Sequence, residues 1–170
     1  MPLSRRYFLA AGAAAAALSA AALGRPATGI ETTGEESFPF ALSDAEWRAR
    51  LDGPAYDVLR HEATERAFTS PLLEEHRAGV FACAGCGQAL FDAATKFESH
   101  TGWPSFYDFL PGALGTKEDT ALFMARTEVH CANCGGHQGH VFEDGPPPTG
   151  LRYCINGLAL RFVPAEGAAG

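Results

Sequence analysis

Five cysteines hold most of the chemistry this chain can do, and their spacing divides them. Cys83-Ala84-Gly85-Cys86 and Cys131-Ala132-Asn133-Cys134 are two knuckles of one spacing, and Cys154 is left over. Four thiolates fill a tetrahedral zinc shell and leave no position open for water. A zinc ion held by Cys83, Cys86, Cys131 and Cys134 is therefore structural rather than catalytic. The fifth thiol stands in Arg152-Tyr153-Cys154-Ile155-Asn156, downstream of His137 and His140. A thiol beside imidazoles and a guanidinium is a candidate nucleophile, because a nearby cation lowers its pKa from about 8.5 and raises the thiolate share at neutral pH. If the segment is a strand, Arg152 at i−2 and Asn156 at i+2 share the face of Cys154, and a loop of turn residues brings His137 and His140 back over it.

Each assignment has a rival. Two disulfides and a free thiol would suit an oxidising compartment, although a bridge within Cys-x-x-Cys closes too short a loop to constrain the unfolded chain much. A redox-active Cys-x-x-Cys needs a thiol at a helix N-terminus, and nothing after Cys83 or Cys131 reads as a helix. A lone strand cysteine is most often a small buried hydrophobe. The gap of 44 residues between the knuckles exceeds the roughly 15–20 of a compact zinc ribbon, so a sheet must bring the pairs together. Any ion there staples distant strands.

The elements that must do this positioning follow from the rest of the chain. Its 170 residues make one domain, and 46% apolar with 11% aromatic residues suits a compact core. A formal charge of −7 argues against a nucleic-acid partner, which would require a basic face to neutralise phosphates. Residues 1–23 read as an export signal: Ser4-Arg5-Arg6-Tyr7-Phe8-Leu9 precedes an alanine-rich run, with Ala20-Ala21-Ala22 as a cleavage site. The pattern resembles a bacterial twin-arginine signal and implies a periplasmic protein with no stable membrane insertion after cleavage. The rival reading is a transmembrane anchor, but the run is shorter and less apolar than the roughly 20 residues a span needs. Residues 24–40 read as a mobile linker, 41–165 as the folded domain and 166–170 as a tail.

Within the domain, Ser43 and Glu46 form a capping-box signature, predicting a helix to about Leu51 with Trp47 and Leu51 on its buried face. Residues 55–71 begin as either a short helix or an edge segment, and His61, Glu62, Glu65, Arg66 and His76 read as solvated polar groups. Leu72 to His76 adds one helical turn. From Gly79 the period becomes that of strands. The first knuckle sits at a hairpin tip, residues 121–130 form a strand feeding the second, 143–150 form a rigid surface loop, and strands at 151–155 and 158–163 flank a tight Asn156-Gly157 turn. The fold class is mostly antiparallel β, with short helices on the N-terminal side.

The motifs together carry a resemblance. Lys96-Phe97-Glu98-Ser99, Gly102-Trp103-Pro104-Ser105-Phe106, the two knuckles, His137-Gln138-Gly139-His140-Val141-Phe142, Asp144-Gly145-Pro146, Pro148-Thr149-Gly150 and Arg152-Tyr153-Cys154-Ile155-Asn156 occur in the order of the methionine-R-sulfoxide reductase B family, which the chain resembles from about Trp47 to Val163. The resemblance implies two antiparallel sheets, tent-like and stapled by zinc, and reduction of methionine-R-sulfoxide in proteins or peptides. It implies that Cys154 attacks the sulfoxide sulfur, that His140 and His137 bind and protonate its oxygen, and that Arg152 and Asn156 support them. Trp103, with Phe142, takes the substrate methyl; core packing is the other reading of Trp103, and an exposed loop position the other reading of His137. The product is a Cys154 sulfenic acid. Many members carry a resolving cysteine just before Gly-Trp-Pro-Ser, but here His100-Thr101 precedes Gly102. With four cysteines committed to zinc, the chain reads as a one-cysteine enzyme, a monomer served by a thioredoxin-like or small-thiol reductant. Gly157 stands where a serine is often found, a minor turn change. The competing function is a non-enzymatic binding module on the same zinc-stapled sheet.

Overall fold

The computed structural model describes residues 37–120 and 125–166. The export signal, the linker as far as residue 36, residues 121–124 of the strand expected before the second knuckle and residues 167–170 of the tail lie outside the described residues. Helix α1 spans Asp44–Arg50, with the Ser43 side chain and the Glu46 carboxylate closing the expected capping box. Such a cap contributes about 1 kcal/mol. Helix α2, Gly53–His61, resolves the ambiguous stretch: Asp52 caps it by accepting from the Ala55 amide, proline occupies its first turn, and Glu62 ends it in the left-handed conformation. Both helices bury apolar faces, through Trp47 on α1 and Tyr56, Val58 and Leu59 on α2. Phe38 and Phe40, which the sequence assigns to the linker, lie against the domain. Phe38 meets His130 edge-on, and the Phe40 amide donates to the Asn133 carbonyl at 2.8 Å.

The described residues hold nine strands: β1 Gly79–Cys83, β2 Ala89–Asp92, β3 Lys96–Phe97, β4 Ser105–Phe106, β5 Leu114–Asp119, β6 Arg126–Cys131, β7 His137–Phe142, β8 Arg152–Ile155 and β9 Leu160–Pro164. They form two antiparallel sheets, ordered β2-β1-β9 and β3-β4-β8-β7-β6-β5. Aromatic rings fill the space between them. Phe106 of the larger sheet stacks on Phe91 at 4.2 Å and meets Phe81 edge-on at 5.0 Å, all three fully buried.

Two expectations change here. Strands β8 and β9 do not form a hairpin about Asn156-Gly157, because a 3-10 turn at Gly157–Ala159 carries the chain from the larger sheet to the smaller. A Cβ at Gly157 would run into the Ser70 side chain, so glycine there admits a close approach of the 65–70 segment and is more than a turn preference. His137 and His140 belong to β7, not to a loop folding back. Pairing of β7 with β8 sets His140 directly opposite Cys154.

Phe106 is the hinge of the ring cluster, so Phe106→Ala should lower the unfolding free energy by about 3–5 kcal/mol in urea titration. A loss below about 1 kcal/mol would mean that the sheets are not held by this cluster.

Candidate functional site

The four knuckle cysteines converge. Cys83 and Cys86 come from the β1–β2 turn of the smaller sheet, Cys131 and Cys134 from the β6–β7 turn of the larger, and all four sulfurs lie within 4.8 Å of one another. Both turns close alike: the Gly87 amide donates to the Cys83 carbonyl at 2.9 Å and the Gly135 amide to the Cys131 carbonyl at 2.8 Å. Sulfur separations of 3.8 Å for Cys83–Cys134 and 3.6 Å for Cys86–Cys131 are far beyond a disulfide bond of about 2.05 Å. Neither knuckle begins a helix, so the arrangement lacks the dipole that activates a redox Cys-x-x-Cys. The four residues could hold one metal ion.

Cys154 sits elsewhere, at the centre of the larger sheet. Its neighbours across the ladder are Ser105 of β4 and His140 of β7. The half-buried thiol lines a cleft of about 120 Å³ together with Trp103, Arg126, His140, Phe142 and Asn156. Most of the residues singled out in the sequence thus meet in one place. His137 does not reach it: it is 3% exposed and absent from the cleft wall. Its ring packs edge-on against His140 at 5.5 Å, its Nδ1 lies 2.6 Å from Glu128, and its buried Nε2 has no hydrogen-bond partner.

The supporting groups have defined partners. The Arg152 guanidinium holds Asp144 through two 2.8 Å hydrogen bonds and lies 4.4 Å over the Phe142 ring; Asp144, with the Cys154 sulfur adding to the effect, raises its pKa. Asn156 acts on backbone rather than on the sulfur. Its amide donates to the Gln138 carbonyl at 3.1 Å, and its oxygen accepts from the Glu65 amide at 3.0 Å. Trp103 donates its indole N–H to the Glu65 carbonyl at 3.2 Å, which fixes the ring at the cleft rather than in the core.

Sequence reasoning missed three carboxylates. Glu65, expected to be solvated, is buried because its carboxylate caps the Gly157 and Leu158 amides after β8; His61, Glu62, Arg66 and His76 are exposed as expected. Glu128 is 1% exposed and bridges His130 and His137. Burial pushes its pKa up, but the two imidazoles overcome that and bring it to about 2. Asp119 accepts from Arg126 at 2.6 Å and lies 2.8 Å from Nε2 of His140. Of the three, Glu128 alone leaves a trace in the sequence, through the alternation that sets it on one strand face with His130.

The electrostatics of the thiol differ from expectation. Burial raises the Cys154 pKa, and the Thr101 hydroxyl, Arg152 and Ser105 lower it without prevailing. His140 supplies no compensating cation, because burial lowers its pKa and Arg126 and His137 add to that against the opposing pull of Asp119. At neutral pH the pair stands as thiol and neutral imidazole. Such a site can present a sulfur nucleophile to a small polarised group in the cleft, with the imidazole within reach of its oxygen.

Comparison with known proteins places this geometry in context. The SelR domain family matches residues 51–164. A peptide methionine sulfoxide reductase MsrB of Leifsonia xyli is 53% identical over 135 residues, covering 78% of this chain and 97% of that protein. Proteins of the same description from Methanosarcina barkeri and Agrobacterium fabrum are 54% and 51% identical, covering 73% and 72% of this chain and 88% and 91% of theirs. A crystal structure of a Mis18 Yippee-like domain superposes over 54% of the chain and all of that domain, with a TM-score of 0.44 and 17% identity.

A raised folded-state pKa means that thiolate is scarce below that value and accumulates only above it. Alkylation of Cys154 by iodoacetamide should therefore keep accelerating past about pH 8.5, the ordinary cysteine value. A rate that levels off near pH 7 would reverse the assignment.

Proposed function

The chain belongs to the MsrB family of SelR-domain peptide methionine sulfoxide reductases, and from that premise we propose that it reduces the R epimer of protein-bound methionine sulfoxide through a sulfenic acid at Cys154. Cys154 attacks the sulfoxide sulfur, the oxygen passes to the cysteine, and the thioether departs: one thiol and one sulfoxide give one sulfenic acid and one thioether, with the thiol proton ending on the transferred oxygen. Two equivalents of an external thiol then return Cys–SOH to Cys–SH, releasing a disulfide and water. His140 hydrogen-bonds the sulfoxide oxygen and relays the thiol proton to it, while Trp103 and Phe142 pack against the methyl group. Arg152 faces the developing charge on sulfur. Asn156 holds the strand end, and His137, braced by Glu128, orients His140 from behind.

One observation carries the reading: the single cysteine outside the cluster is the one that shares a cleft with an imidazole and an indole. The absence of a further free thiol supports direct return by an external reductant, thioredoxin-like or small. Arg5-Arg6 and the alanine-rich run after them support export to the periplasm ahead of this activity.

Zinc is the ion the cluster fits. A tetrahedron with zinc–sulfur bonds of about 2.3 Å spaces its sulfurs by about 3.8 Å, close to the 3.6 and 3.8 Å found. Cys83, Cys86, Cys131 and Cys134 would hold it, and it supplies no chemistry to the cleft beyond holding the two sheets together.

The decisive assay uses a peptide carrying each sulfoxide epimer in turn, with dithiothreitol. R-epimer turnover should exceed S-epimer turnover by at least about 100-fold, and Cys154→Ser should abolish it. Activity surviving that substitution, or a disulfide between Cys154 and a knuckle cysteine after one turnover by mass spectrometry, would overturn the mechanism. Stripping the metal should unfold the domain, read as loss of the cooperative thermal transition together with one zinc per chain.

A further inference from the structure

The position before Gly102, where many relatives place a resolving cysteine, holds a threonine whose Oγ1 lies 3.8 Å from the Cys154 sulfur. Thr101 is the outer member of a chain of hydroxyls. Its oxygen is 2.8 Å from that of Ser99, which is 2.7 Å from that of Ser105, and Ser105 donates to the Trp103 carbonyl at 3.1 Å. Each hydroxyl has one proton to give, so the carbonyl fixes the direction of the whole chain. Ser105, which also faces the sulfur across the ladder, spends its proton at rest on Trp103 and accepts from Ser99; Ser99 spends its own and accepts from Thr101; Thr101 then faces the sulfur as an acceptor. Such a chain suits a protonated thiol, S–H pointing at Thr101, and opposes a thiolate.

Resting on the function proposed above, we propose that Thr101 is a catalytic residue whose hydroxyl accepts from the Cys154 thiol at rest and turns to donate to the sulfur once its proton has left. The turn breaks the bond to Ser99, so Ser99 competes with the sulfur for one proton. Ser99 and Thr101 therefore act on the thiolate in opposite directions, although they adjoin each other in the same chain. The residue that takes the place of a second cysteine thus tunes the first. The other charged and titratable groups around the sulfur are Arg152 on its own strand, which acts on the thiol without lining the cleft, and His140 on β7 and Arg126 on β6, which line it; all are left in place by the substitutions below.

The test is the pH profile of iodoacetamide alkylation at Cys154 in the full zinc-loaded chain, read by mass spectrometry, beside kcat and KM on the R-sulfoxide peptide. Below the midpoint, Thr101→Val should alkylate about tenfold more slowly and lose a similar factor in kcat at unchanged KM, since a hydrogen bond to a charged group is gone. Thr101→Ser should restore both. Ser99→Ala should shift the midpoint the other way and alkylate faster than the wild type. An unmoved midpoint in Thr101→Val, or Ser99→Ala moving in the same direction as Thr101→Val, overturns the proposal. A wild-type chain inactive on both epimers would remove the proposed function instead, and the alkylation midpoints would still decide the role of Thr101.

Discussion

The junction between the two sheets governs this molecule. The smaller sheet has three strands and reaches the larger one through a stack of phenylalanines at one place and four sulfurs at another. The rings contribute non-directional burial, which tolerates sliding. Four sulfurs gathered on one metal ion would fix a distance. Because β6 enters the second knuckle, β7 leaves it and β8 pairs with β7, the strand that sets His140 opposite Cys154 starts at the cluster, past a register shift between Val129 and His130. The cysteine cluster and Cys154 are thus separate in space and joined through one ladder.

The second constraint is the burial of charge. Glu65 and Glu128 lie almost wholly inside, where an unpaired carboxylate would be strongly destabilising, and each is saturated by donors that also matter to the cleft. Glu65 ties the turn after β8 through its side chain and the indole of Trp103 through its backbone carbonyl. Asn156 completes the tie from the opposite side. The wall of the cleft is therefore built from three segments distant in sequence and locked by polar contacts. That economy explains why Asn156 lines the site with its amide turned to main chain.

Features set by local spacing were legible in the sequence. The capping box at Ser43 and Glu46, the hairpin tip at Cys83–Gly87, the division of cysteines into four and one, and the sharing of a strand by Arg152 and Cys154 all appear in the fold. What the spacing could not convey is the identity of cross-strand and cross-loop partners. Glu65 looked like any exposed acid because its partners, the Gly157 and Leu158 amides, lie over 90 positions away. Strand β5 and the two-residue strands β3 and β4 escaped because their alternation is too short or too polar to register. The same limit explains the Cys154 pKa: neighbouring charge can be read along a strand, whereas desolvation depends on what covers it.

The close approach at Gly157 carries an evolutionary consequence. Ser70 fills the space that a side chain at 157 would claim, so the two sites form an epistatic pair. A hydroxymethyl group at 157 would need a smaller residue at 70, and the bulk of Ser70 needs glycine at 157. Passage between the two states runs through an intermediate small at both positions. That path leaves a cavity behind the strand end for as long as it lasts, a cost that couples the two positions.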